Sequence, residues 1–431
     1  MTLRNADVYV NPNYEWLANA LYRPRVKART ISNSRRGGFA SCQQRWAWRY
    51  QEGLVPKTTA LPLRRGSLVH LALAVAYQKL EDPDPAAGYA AMEAVISAWA
   101  LGQAQQAQLS GLYVDWREVE ELAQLCRTLA HRTLDRYWES DRAQYTLVGT
   151  EIPVRLPIRN PYGKRGMSRW DFTGKIDMIL LEKATNELHV FDHKTWSGSE
   201  GGKAKYEAGL MLSPQRIGYM WALIQGTASQ SCNWIETEGQ AALYVNPSVT
   251  FNTIRTKVPS VPKLLQHRTC KGGGCHQCGD TGSMGVGKTV SDTSVDAYRL
   301  LAKTHPHIDA AQYAHHIKTL EDRGDIFNFR SAAYVDSDSF EMWEREVYDT
   351  AVAMAAAFRS GRYVRNRNEC TPWTGGKPCS YRVLCDTEEQ SVRQLFDREV
   401  PKGLTGSNVS AICDDANGAA STDGNDDDLP F

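Results

Sequence analysis

Two aspartates and a lysine, at Asp177, Asp192 and Lys194, have the types and spacing to hold a hard metal ion in this 431-residue chain. WDFTGKIDMILLEK (170–183) and ELHVFDHKTW (187–196) are β-rich runs on either side of a turn within KATN (183–186). With the turn centred between Ala184 and Thr185, antiparallel partners have numbers summing to 369, which sets Asp177 opposite Asp192. Lys194 lies two residues further on and shares their face, because strand side chains alternate. Directly opposed carboxylates repel each other. An all-oxygen pair beside an ammonium makes physical sense with a divalent cation between the acids. Ile179, Leu180, Val190 and Phe191 make these strands too apolar for a merely solvated hairpin.

GKIDMI (174–179) followed by FDHKTW (191–196) resembles the active-site core of the PD-(D/E)XK nucleases, in particular their RecB-like branch. Gly66-Ser-Leu-Val-His70, preceded by Arg64 and Arg65, resembles the upstream G-x-x-x-H element of that branch. Gln215-x-x-x-Tyr219 resembles its Q-x-x-x-Y element, and i,i+4 spacing puts both side chains on one helix face. The resemblance implies that His70, Asp177 and Asp192 ligate Mg²⁺ or Mn²⁺, with the His193 carbonyl as a further ligand. It implies that Lys194 orients the attacking water or stabilises developing charge. Glu151 would add an outer ligand or a second metal, and Gln215 and Tyr219 would position substrate or Lys194. The implied activity is metal-dependent DNA hydrolysis, exonucleolytic, in recombination, repair or phage genome processing. A nuclease-fold module that holds DNA ends or a partner without cutting is the rival reading.

Ten cysteines suggest thiols kept reduced or bound to metal. Cys126, Cys232 and Cys413 are isolated and read as inert. Cys42 with Cys370, Cys379 and Cys385 resembles the iron–sulfur nuclease arrangement of AddB and the CRISPR-adaptation nucleases, in which four thiolates hold a [4Fe–4S] cluster. The final C-x5-C fits that pattern and the preceding C-x8-C is longer than the common C-x2-C, so a zinc ion on the same four thiolates stays open. Cys270, Cys275 and Cys278, with His267 or His276, could form a zinc knuckle or simply a loop with free thiols. Gly282-Ser-Met-Gly-Val-Gly-Lys-Thr289 satisfies the P-loop spacing, but CKGGGCHQCGDT before it cannot be a buried strand. A P-loop ATPase is therefore the weakest reading.

Charge sharpens this picture. Lys and Arg number 50 against 49 Asp and Glu, a net +1 that argues against a nucleic-acid partner. The last 18 residues hold six Asp and no Lys or Arg, so the remainder carries 50 basic against 43 acidic residues, or +7. The terminal Asp426-Asp427-Asp428-Leu429-Pro430-Phe431 resembles the acidic tip of bacterial single-stranded DNA-binding proteins. It implies docking to proteins that bind such tips. No apolar run reaches the ~18 residues of a membrane span, and MTLRNADVYVNPNYEWL lacks the pattern of a secretory leader. The expected location is the cytoplasm of a bacterial or phage-infected cell.

Helical spacing runs through 66–82, 86–108 and 116–139, then from Pro214 onward, and again over 308–324 and 337–360. Strand patterns cover 146–158, 170–183, 187–196 and 240–249, while SRRGG (34–38) reads as a loop. The order of helices, sheet, then helices indicates an α/β (α+β mixed) fold, a restriction-endonuclease-like core with a central mixed sheet. The expected divisions are an N-terminal segment to 65 with the first cluster cysteine, and a core over 66–265 with a helical insertion at 80–140. A Cys/Gly-rich knuckle over 266–291, a helical region with the cysteine clasp over 292–400, and a disordered acidic tail over 401–431 follow.

Overall fold

The computed structural model describes residues 8–25, 28–57, 61–110, 115–163, 167–227, 234–235, 243–260, 293–304, 314–370, 378–387 and 390–398. Strands are β1 (Tyr9–Val10), β2 (Arg29–Ile31), β3 (Leu54–Pro56), β4 (Tyr145–Arg159), β5 (Met167–Glu182), β6 (Glu187–Trp196), β7 (Trp234–Ile235), β8 (Leu243–Arg255), β9 (Asn328–Tyr334) and β10 (Phe396–Arg398). Helices α1 to α6 are Glu15–Leu21, Asn33–Ser41, Gln43–Trp46, Leu61–Tyr77, Ala87–Ser110 and Trp116–Gln144. Helices α7 to α12 are Lys203–Met211, Pro214–Gly226, Val295–Thr304, Ala314–Arg323, Ser337–Ser360 and Arg382–Asp386. The fold is the expected mixed α/β class. No described helix is long and apolar enough to cross a membrane.

The chain divides into two compact units. The first comprises the described parts of Met1–Pro24, Ala60–Leu156 and Thr173–Glu344. Its sheet runs β1-β4-β5-β6-β8-β7, with β9 also on β8. β5 and β6 form an antiparallel hairpin, and β6 runs parallel to β8. A parallel pair needs a crossover, here through α7 and α8. β6 is therefore flanked on both sides, and its polar residues Asp192, His193 and Lys194 pair with Phe251, Asn252 and Thr253 of β8. Ser213 caps α8 by accepting from the Gln215 N–H at 3.3 Å, and Pro214 supplies the first helical residue.

One face of the hairpin is covered by α4, α5 and α6. Leu68, Leu73, Tyr77, Met92, Leu129 and Trp138 pack against Met178, Leu180 and Phe191. Burial of such side chains at about 1.5–3 kcal/mol each fixes which face is inward. At the edge of this core Asp141, fully buried, accepts from Tyr77 Oη at 2.5 Å and from both terminal nitrogens of Arg330 at 2.7 and 2.5 Å. Arg330 also stacks 3.8 Å over the Tyr137 ring. The network joins α4, α6 and β9.

The second unit comprises the described parts of Arg25–Thr59, Pro157–Phe172 and Arg345–Phe431. β2 runs parallel to the start of β5, and β3 pairs antiparallel with β10. Trp48, Leu54, Tyr381, Leu384 and Phe396 form its apolar centre, against which Cys379 and Cys385 pack. SRRGG lies within α2 and is no loop. Ser32 accepts from the Arg35 N–H at 3.2 Å as the N-cap, Arg35 donates to the Thr30 carbonyl at 2.8 Å, Arg36 pairs with Glu346, and Phe39 is buried. Tertiary anchoring thus offsets the roughly 1 kcal/mol helix cost of each glycine. The 240–249 strand runs instead over Leu243–Arg255, and the first long helix starts at Leu61 and ends at Tyr77.

Candidate active site

Met178 pairs with Phe191, Ile179 with Val190, Leu180 with His189 and Leu181 with Leu188, every pair summing to 369. The next residues outward are Asp177 and Asp192. There a side chain takes over from the backbone ladder, for Asp177 Oδ2 accepts the His193 N–H at 2.9 Å. His70 reaches the same oxygen from α4, its Nδ1 at 3.1 Å. Gly66 allows that approach: a Cβ there would stand 3.3 Å from Thr195 Oγ1, tighter than ordinary contact. One turn later on the same helix face, His70 is thereby held against β6.

Glu151 completes one side of the cluster. A ligand atom from each of His70, Glu151 and Asp177 lies within 4.8 Å of the others. Glu151 sits in the middle of β4 at φ 54°, a left-handed conformation that strands do not ordinarily hold and that a non-glycine residue adopts at a cost. Its carboxylate is paired with the Lys175 ammonium. Burial and the charge of Asp177 raise the Glu151 carboxyl above the ordinary range, against the pull of Lys175.

On the other side, Lys194 lies against Asp192 and donates to Gln215 Oε1 at 2.9 Å. The Gln215 amide donates to the Tyr219 hydroxyl oxygen and, at 3.4 Å, to Asp192 Oδ1. Asp192 is fully buried, and its Oδ2 is the atom that the Lys194 ammonium contacts. Burial and the charge of Asp177 push the Asp192 carboxyl well above its usual range, against Lys194. Burial also opposes ionisation of Asp177, but His70, His193 and Lys194 outweigh it and hold that carboxyl well below its usual range. His70 is correspondingly raised, since the Asp177 charge overcomes its desolvation. The His193 ring is lowered to about 3 by burial and by His70; Asn252 Nδ2 lies 3.1 Å from its Nδ1. Two buried carboxylates this close oppose each other's ionisation, so one gives up its proton more readily than the other.

Residues 30–386 match the family model of the PD-(D/E)XK nuclease superfamily. The chain belongs to the PD-(D/E)XK nuclease superfamily. No curated protein matches it. Within this PD-(D/E)XK chain, His70, Glu151, Asp177, Asp192, Lys194, Gln215 and Tyr219, singled out in the sequence, come together in one unit. Lys175 and Asn252 belong to the same surroundings and were not anticipated. Lys175 could have been found from its spacing, two residues before Asp177 on the same strand face. Asn252 lies beyond the anticipated end of its strand.

The clasp cysteines Cys42, Cys370, Cys379 and Cys385 all lie in the second unit and carry no disulfide. The Cys379 N–H donates to the Cys370 carbonyl at 3.1 Å. Burial and the neighbouring Cys370, Cys42 and Cys379 push the Cys385 thiol up to about 11. No three of the four sulfurs lie within 4.8 Å of one another. Cys126 is buried in the helical core, and desolvation raises its thiol to about 12. Cys232, Cys413, the His267, Cys270, Cys275, His276 and Cys278 set, the P-loop-like segment and the Asp426–Phe431 tip lie outside the described residues.

Proposed function

We propose that this chain is a metal-dependent DNA nuclease of the RecB-like branch, hydrolysing phosphodiester bonds from DNA ends in recombination, repair or phage genome processing. The observation that carries the reading is the convergence of Asp177, Asp192 and Lys194 with His70, Glu151 and Gln215 at the end of the β5–β6 hairpin. His70, Asp177 and Asp192 would hold Mg²⁺ or Mn²⁺, with Glu151 as an outer ligand and the His193 carbonyl as a further one. The fit rests on the donor set itself: one imidazole and carboxylate oxygens, with ligand atoms of His70, Glu151 and Asp177 within 4.8 Å of one another. When bound, the cation supplies Lewis-acid polarisation of the phosphate and a lowered pKa for water.

The protein's own residues do the rest. Gln215 takes one hydrogen of the Lys194 ammonium and so fixes where that positive charge points. Lys194, aimed across Asp192, orients the attacking water and offsets the negative charge that develops on the phosphate oxygens. Tyr219 holds the far end of the Gln215 amide, and burial keeps its hydroxyl protonated far above neutral pH. Asp192→Ala and Lys194→Ala are expected to abolish Mg²⁺-dependent cleavage of labelled DNA while circular dichroism and thermal unfolding stay near wild type. Full activity in either purified variant rules the reading out.

In the second unit we assign Cys42, Cys370, Cys379 and Cys385 to a [4Fe–4S] cluster. The assignment rests on the spacing of the four cysteines and on Cys42, Cys370 and Cys379 all lying near enough to Cys385 to raise its thiol. Brown, iron-containing protein after anaerobic purification supports this, and colourless protein with stoichiometric zinc refutes it. Cys270, Cys275 and Cys278 with His267 or His276 are assigned to zinc on their spacing alone. The Asp426–Phe431 tip is assigned to docking on proteins that bind the tip of single-stranded DNA-binding protein.

A further inference from the structure

The hairpin carries a second pair of opposed carboxylates. Beyond the Leu181–Leu188 pair, the same register sets Glu182 opposite Glu187 across the turn. His189, two residues along β6, shares their face. Like charges directly opposed at the closed end of a hairpin are destabilising. Among the described residues, the neighbouring Lys183 does not relieve the pair, since its ammonium donates to the Arg142 carbonyl at 2.7 Å.

We infer that Glu182, Glu187 and His189 form a second divalent-cation site of the zinc class, separate from the acidic site of the same hairpin. A ligand atom from each of the three lies within 4.8 Å of the others. His189 Nε2 stands 3.4 Å from Glu182 Oε2 and 3.6 Å from Glu187 Oε2. It is buried as an atom and makes no hydrogen bond. Both separations exceed the 2.7–3.2 Å of an N–H···O bond. They match instead the edge of a tetrahedron around zinc, since ligand bonds of about 2.0–2.2 Å give edges of about 3.3–3.6 Å.

The surroundings hold the three ligands in place. Thr185 Oγ1 donates to Glu182 Oε2 at 2.7 Å, and Asn246 Nδ2 donates to Glu187 Oε2 at 3.0 Å. The Tyr145 ring meets the His189 ring edge-on at 5.5 Å. Such outer partners orient metal ligands. The two glutamate side chains are 27% and 36% exposed, which leaves an entry path and a position for water. One imidazole with two carboxylates is a donor set of borderline softness, more suited to zinc than to Mg²⁺. The site is five residues from Asp177 and from Asp192 along their strands, about 17 Å. An odd separation also puts it on the opposite face of the sheet. A cation there would staple the closed end of the hairpin whose open end carries those aspartates.

The inference is independent of the nuclease reading, and its test reads bound zinc. Full-length protein, held in excess Mg²⁺ to occupy the harder site, is dialysed against Zn²⁺ and analysed for metal. His189→Gln and Glu187→Gln are each expected to hold one zinc ion fewer per chain than wild type. Asn246→Ala keeps all three ligands and is expected to raise half-saturation by about 10–100-fold. If His189→Gln does not fold, as judged by circular dichroism, Glu187→Gln decides alone. An unchanged zinc count in the folded variants overturns the assignment and leaves His189 as an ion-pair partner of the glutamates.

Discussion

Replacing Gln215 by leucine should slow cleavage by about 10- to 150-fold while leaving the fold intact. The side chain accepts from Lys194 Nζ at 2.9 Å and donates toward Asp192 Oδ1 at 3.4 Å, so it sets the direction of the ammonium beside that buried carboxylate. A hydrogen bond to a charged group contributes about 1.5–3 kcal/mol. If Lys194 reaches its working position only through that bond, the whole amount is felt in the transition state. At 1.36 kcal/mol per decade this gives the stated range. The amide would act on Lys194 and not on DNA, so KM is expected to change by less than about twofold. Gln215→Glu should differ: its carboxylate still pairs with Lys194 but repels Asp192, so the Mg²⁺ concentration for half-maximal rate shifts. Single-turnover cleavage of labelled DNA across a Mg²⁺ series measures both variants, with thermal unfolding as the control. A folded Gln215→Leu protein whose kcat stays within about threefold of wild type refutes the positioning argument.

Arg330→Met should destabilise the protein by about 3–5 kcal/mol, because it leaves the fully buried Asp141 carboxylate without its cation. Asp141→Leu added to it should recover most of that loss; urea unfolding of the double variant no more stable than the single one contradicts the account. Cys126 should resist alkylation in native protein at pH 8 by roughly three orders of magnitude relative to urea-unfolded chain. Its thiol holds its proton to about 12, whereas an ordinary thiol ionises near 8.5. Because the folded value is the higher one, this group's stabilisation is full below about pH 8.5 and is lost as pH rises toward 12. Native alkylation within tenfold of the unfolded rate would show that the core opens at that position.

Much of the central architecture is legible before any coordinates. The long helices over α5, α6 and α11 follow apolar periodicity, and β4, β5 and β6 follow alternation between turn residues. The small strands β1, β2, β3 and β10 are two or three residues each and leave almost no pattern to detect. The helix over SRRGG is not legible in the sequence because propensity weighs against two glycines, whereas Arg36 pairs with Glu346 far along the chain and Phe39 is buried.

The sequence by itself determined the hairpin register, and with it the face shared by Asp177, Asp192 and Lys194. A tight turn and period-two alternation are local constraints, so a count from one turn suffices. The same count carries Glu182 opposite Glu187. Tertiary structure alone decided what surrounds those carboxylates. The close pass of α4 at Gly66, the ion pair of Glu151 with Lys175 and the contact of Asn252 with His193 join residues from different elements, and Glu151 is held there in a left-handed conformation. Arg330 meets Tyr77 across 253 residues. Such partners are selected by which burial leaves fewest unpaired polar groups, a property of the packed whole that no local pattern records.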